Sequence, residues 1–155
     1  MGTLKKRVGL IATTSDSHPQ WLNLQDVEVE LTSEDPNWPI EGALLPDRSI
    51  GWRASGPGPQ TIRLTWREPV RLSRVRLIFE EQAQSRTQEF VLRAFTVGGG
   101  REIVRQQFTF SPPTTAVERE DYAASLEGVT GLELSIIPAI DGSDAVAALK
   151  EWRAA

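Results

Sequence analysis

Short runs of alternating apolar and polar residues, separated by Pro, Gly and Asn, recur from Asp26 onward. A half-buried strand repeats every second residue and a helix every ~3.6, so such alternation restricts the chain to β structure. In Asp26–Leu31, Val27, Val29 and Leu31 share one face, with Glu28 and Glu30 on the other. Thr61–Trp66 places Ile62, Leu64 and Trp66 inward and Arg63 outward. Pro69 separates it from Val70–Phe79, where Val70 and Leu72 take one parity and Val75, Leu77 and Phe79 the other. That switch near Ser73 predicts a bulge or bend. Gln88–Val97 and Glu102–Phe110 flank Gly98–Gly100, which reads as a hairpin. Val117–Ala124 and Leu132–Ile137 are two further strands, joined through Gly128 and Gly131. Ile40–Leu45 is expected to form one helical turn, ended by Pro46. Residues 1–25, with Pro19 and Trp21, show no such pattern and are expected to be irregular, wrapping the edge of one domain over 26–155.

The 155 residues suit a single domain with its own core. Without cysteine there can be neither a disulfide framework nor a thiolate metal site. The apolar run Val8–Ala12 is too short for a signal-peptide core, and nothing approaches a membrane span. Lys6 stands where a myristoylation signal needs Ser or Thr. For a chain starting at Met1 these features place the protein in the cytoplasm. A net charge of −4 argues against a nucleic-acid partner. Arginine nevertheless outnumbers lysine 14 to 3. Its planar fork suits carboxylate or phosphate recognition, but equally pairing with the many glutamates across strands.

Leu44–Trp66 ("LLPDRSIGWRASGPGPQTIRLTW") and Val129–Ala154 ("VTGLELSIIPAIDGSDAVAALKEWRA") bracket this series of strands. In order and spacing, Asp26–Ala155 resembles the galactose-binding-like domain, also called discoidin or coagulation-factor type C. That family has a motif of the form DG-x-x-x-T-x-W; "DRSIGW" matches it with Asp47, Ser49 and Trp52. Arg48 replaces the Gly, Ser49 the Thr, and the loop is shorter. Glu151 in "LKEW" matches a Glu that reaches a calcium ion in many members. The resemblance implies a jelly-roll β-sandwich of about eight antiparallel strands in two sheets. It also implies a structural calcium ion at Asp47, Ser49 and Glu151, and a binding module for carbohydrate rather than an enzyme. Finally, it assigns Ala148–Arg153 to a terminal strand, against the helical propensity of Ala145–Ala155.

Sugar recognition needs a flat apolar ring and a few convergent planar polar groups. Trp66 is in phase with Ile62 and Leu64, and Trp52 sits where the family buries a Trp, so both are expected in the core. Trp21 and Trp38, in loops, are either platforms or plugs over the end of the sandwich. Arg53 follows Trp52, and Arg86 and Gln88 stand at a loop–strand junction; Arg105, Gln106 and Gln107 read more plainly as surface. The candidate binding set is therefore Trp38, Arg53, Arg86 and Gln88, at loops on one end of the sandwich. Support for catalysis is thin. A Ser–His–Asp triad would need His18, the only histidine, and no GxSxG elbow exists. Glu118 and Glu120 read as one solvated strand face, and Asp141–Asp144 as an Asp-Gly turn. The other reading is a cytoplasmic module that binds a protein or itself through strand edges.

Overall fold

The computed structural model describes residues 3–7, 21–48 and 50–155. His18 and Ser49 fall outside them. In chain order the elements are β1 (Leu4–Arg7), β2 (Glu28–Leu31), α1 (Glu41–Leu44), β3 (Trp52–Pro57), β4 (Gln60–Glu80), β5 (Arg86–Thr96), β6 (Gly99–Phe110), β7 (Val117–Ile137), β8 (Val146–Leu149) and β9 (Glu151–Ala154). All pairings are antiparallel. The protein is a β-sandwich, as expected, and the C-terminal segment is strand rather than helix. Only Lys150 interrupts it, donating its backbone N–H to the Ile78 carbonyl at 2.7 Å.

β4 and β7 are each 21 residues long and pair along most of their length. The segments that read as four strands are thus two. Pro69 and the Gly128–Gly131 stretch mark bends rather than ends. The register shifts between Thr65 and Val70, where Pro69 has no N–H to give. Across from it, a Cβ on Gly131 would sit 2.7 Å from the Leu64 carbonyl oxygen, so the two backbones can approach only because Gly131 has none. The bulge expected near Ser73 is present: Leu72 and Val75 are both fully buried, with a register shift between Leu72 and Arg74.

These bends pass both strands between layers. The first part of β4 and the last part of β7 lie in the order β1-β2-β4-β7-β5-β6. The remainder of β4 carries β9. The layers meet in the core, where the Phe79 ring of β4 packs 5.0 Å from Phe90 of β5. Trp52 and Trp152 are fully buried, the former donating its indole N–H to the Ser33 carbonyl at 3.1 Å. Trp66 is half-buried against the core rim. The hairpin at the glycine run joins β5 to β6 through Val97 and Gly98. Outward arginines pair across strands: Arg63 with Glu133, Arg74 and Arg76 with Asp121, and Arg105 with Glu89.

Two expectations are corrected at this level. Within the supposedly irregular 1–25, Leu4–Arg7 forms β1, and Lys6 holds Glu34 and Glu41 at 2.7 and 2.6 Å. Trp21 is not a free platform, because the guanidinium groups of Arg74 and Arg76 lie 4.8 and 5.1 Å from its ring centre. No described helix is long and apolar enough to cross a membrane.

Candidate functional site

β3 and β8 form a separate two-stranded ribbon, with Trp52 opposite Leu149 and Arg53 opposite Ala148. The loop before α1 is laced onto it. Asn37 donates its N–H to the Asp35 carboxylate at 2.9 Å, which sets a tight turn. Asp35 then donates to the Arg53 carbonyl at 2.8 Å, and Arg53 donates to the Trp38 carbonyl at 3.2 Å. This ladder fixes Trp38 beside Arg53. The guanidinium carbon of Arg53 stands 4.2 Å from the Trp38 ring centre, a stacked cation–π pair.

Beneath the pair, three backbone segments crowd together. Gly51 donates its N–H to the Gly42 carbonyl at 3.0 Å and has φ of 94°, a left-handed value that disfavours any side chain. A Cβ there would stand 3.2 Å from the Leu149 carbonyl oxygen and 3.3 Å from the Lys150 Cα. The result is a cleft of about 240 Å³ lined chiefly by Trp38, Ile50, Trp52, Arg53, Glu80 and Lys150. Ile50 is 51% exposed at its mouth. Among the described residues, neither Arg53 nor Lys150 has a carboxylate within ion-pairing distance. The cleft therefore offers an aromatic face, a guanidinium edge, an ammonium and one carboxylate.

Of the four expected binding residues, the structure brings Trp38 and Arg53 together and places the other two elsewhere. Arg86 and Gln88 are 6% and 0% exposed, inside the sandwich rather than at a surface junction. Arg86 donates to Glu81 at 2.7 Å, to the Pro138 carbonyl at 2.8 Å and to Gln88 at 3.3 Å, and it stacks on Phe110 at 4.8 Å. Gln88 donates to Glu118 at 2.9 Å. The reading of Glu118 as solvated is corrected too, since it is 1% exposed. Burial, then the neighbouring Glu120, push its carboxyl up to about 8, against the pull of Gln88 and Arg86. Burial also raises Glu81, but the Arg86 guanidinium and the Ala83 and Gln84 amides outweigh it and hold that carboxyl below its ordinary value. Lys150, Glu80 and Ile50 join the cleft without any local sequence signal. Lys150 arrives there because it fills the break between β8 and β9.

The calcium set does not fit what is seen. Calcium needs about six to eight oxygen ligands. The two oxygens of Glu151 instead face the guanidinium groups of Arg76, at 4.0 Å, and Arg153, at 3.6 Å. Asp47 is exposed in the turn after α1. Among the described residues no three His, Cys, Asp or Glu side chains gather as a metal site. Asp141 behaves as a turn residue, accepting from the Ser143 N–H at 2.9 Å beside Gly142 at φ 79°.

Neither the family models nor the curated proteins contain a match to this chain. Solved structures do. CpGH89CBM32-5 from Clostridium perfringens, in complex with GalNAc-β-1,3-galactose, aligns with a TM-score of 0.62 at 15% identity, covering 87% of this chain and 99% of that one. The family 32 carbohydrate-binding module of Clostridium perfringens NanJ, in complex with galactose, aligns at 0.59 and 14% identity, covering 83% and 92%. The C-terminal domain of a chitobiase from Bacteroides fragilis aligns at 0.59 and 20% identity, covering 88% and 97%. The likeness extends over 83–88% of this chain, and its fold is the galactose-binding-like β-sandwich of those structures.

Proposed function

We propose that the chain is a non-catalytic carbohydrate-binding module whose site is the cleft at the β3–β8 ribbon. The observation that carries this reading is the stacked Trp38–Arg53 pair, held in place by backbone hydrogen bonds and open to a cleft. An aromatic ring with a few convergent polar groups is the general form of a small-ligand site. The sugar complexes of structural neighbours such as CpGH89CBM32-5 and the NanJ module support a ligand of this class. Arg86 and Gln88 act as internal braces in this reading and do not touch ligand.

The test is a glycan-array screen of the folded protein, with and without calcium, followed by calorimetry on each hit. A reproducible hit in the millimolar to micromolar range, roughly −4 to −8 kcal/mol, supports the reading. Calcium-dependent binding would restore an ion near Asp47 despite the arginine partners of Glu151. A blank from folded protein overturns the carbohydrate reading and moves the weight to a protein partner.

A further inference from the structure

We infer that the cleft selects an anionic saccharide, one bearing a carboxylate, over its neutral counterpart. This inference rests on the carbohydrate reading and names the ligand class within it.

The ion pairs seen across the sheets account for Arg63, Arg71, Arg74, Arg76 and Arg105. Arg86 and Arg153, though buried, also find carboxylates. Arg53 and Lys150 have no carboxylate within reach among the described residues, a condition shared by Lys5, Arg7, Arg48, Arg67, Arg93, Arg101 and Arg119; what distinguishes them is that these two cations line one cleft. Glu80, also in the lining, leaves the cleft one positive charge in excess.

Geometry then favours a carboxylate over a neutral ring. The Arg53 guanidinium already covers one face of Trp38 at 4.2 Å, so on that face a sugar cannot stack on the indole without displacing it. Stacking leaves the edge of the guanidinium, with its N–H fork, free to donate two parallel bonds to a planar carboxylate. Stacking on Trp38 restrains the fork, so part of the side-chain entropy is already lost before binding. Lys150, anchored through its backbone to Ile78, supplies a second cation without geometric demand.

Titration calorimetry on matched pairs tests the inference: galactose against galacturonate, glucose against glucuronate, and mannose against mannuronate oligosaccharides. At least one uronate should bind about tenfold or more tighter than its neutral partner. The preference should shrink as salt is raised and disappear in Arg53→Gln, with Lys150→Gln reducing it less. Circular dichroism and melting of each variant confirm that the fold is kept; should Arg53→Gln fail to fold, the salt dependence and Lys150→Gln still decide. Neutral sugars that bind as well as or better than the uronates overturn the inference and leave the carbohydrate reading standing. Binding by no sugar of either kind overturns both.

Discussion

Replacing Glu118 with Gln should make the protein more stable, by an amount that grows with pH. Glu118 is buried between Gln88, which donates to its Oε1 at 2.9 Å, and the neighbouring Glu120. Its Oε2 has no hydrogen-bond partner among the described residues. Burial and Glu120 raise the carboxyl from 4.5 to about 8 in the folded state. Between those values the folded protein keeps a proton that the unfolded chain releases. The contribution of Glu118 is therefore most favourable below pH 4.5 and is lost progressively as pH rises toward 8. At pH 7, two and a half pH units above the ordinary value, the cost is about 3 kcal/mol at ~1.4 kcal/mol per unit. Above pH 8 it levels off near 5 kcal/mol on the same ~1.4 kcal/mol scale. Glutamine has the same shape, still accepts from Gln88 and can donate to Glu120, but never ionises. Urea unfolding of both proteins from pH 4.5 to 9 should show nearly equal stability at the acid end. At pH 7 a gap of about 3 kcal/mol, or roughly 6–12 °C in Tm for a chain of this size, should have opened. A gap that stays constant with pH, or a variant less stable throughout, would refute the account of Glu118 as a buried proton-holding acid.

Arg86→Ala should act on stability and only indirectly on binding: it strips the donor from Glu81, Gln88 and the Pro138 carbonyl, a loss of about 3–5 kcal/mol visible in thermal melts. Gly51→Ala forces a side chain into φ 94° against the Leu149 carbonyl; about 1–3 kcal/mol should disappear in urea titrations, and ligand affinity should fall with it. The two tryptophans of the cleft should separate cleanly. Trp52→Ala removes a fully buried indole and its bond to Ser33, at about 3–5 kcal/mol, whereas Trp38→Ala should stay within about 1 kcal/mol of the parent while calorimetry shows weakened sugar binding. Equal destabilisation by both would mean that Trp38 is a plug and not a binding surface.

Where one face of a strand is buried, period-two patterning carries the fold in the sequence: Val27, Val29 and Leu31 all go inside, and the glycine run makes its hairpin. Strand ends were harder to read. A proline or glycine reports that a ladder is locally irregular, not whether the strand resumes, so Pro69 and Gly128–Gly131 looked like breaks where β4 and β7 only bend. The binding residues were misread for a different reason. Arg86 and Gln88 share the parity of Phe90, Leu92 and Ala94, and Glu118 that of Tyr122, Ala124 and Leu126. Periodicity therefore points them inward, whereas their polar side chains point to solvent, and the two signals conflict. Polarity decides burial only when no partner is available, and here partners come from three directions: Glu81, the Pro138 carbonyl and each other. No local pattern could supply the cleft, because Trp38, Arg53 and Lys150 meet across more than a hundred residues of chain. Partnership then sorts the polar residues more reliably than hydropathy. Arg86 is satisfied within the protein and serves the fold, whereas Arg53 and Lys150, without carboxylates among the described residues, line one cleft together, and there two cations can meet a single ligand.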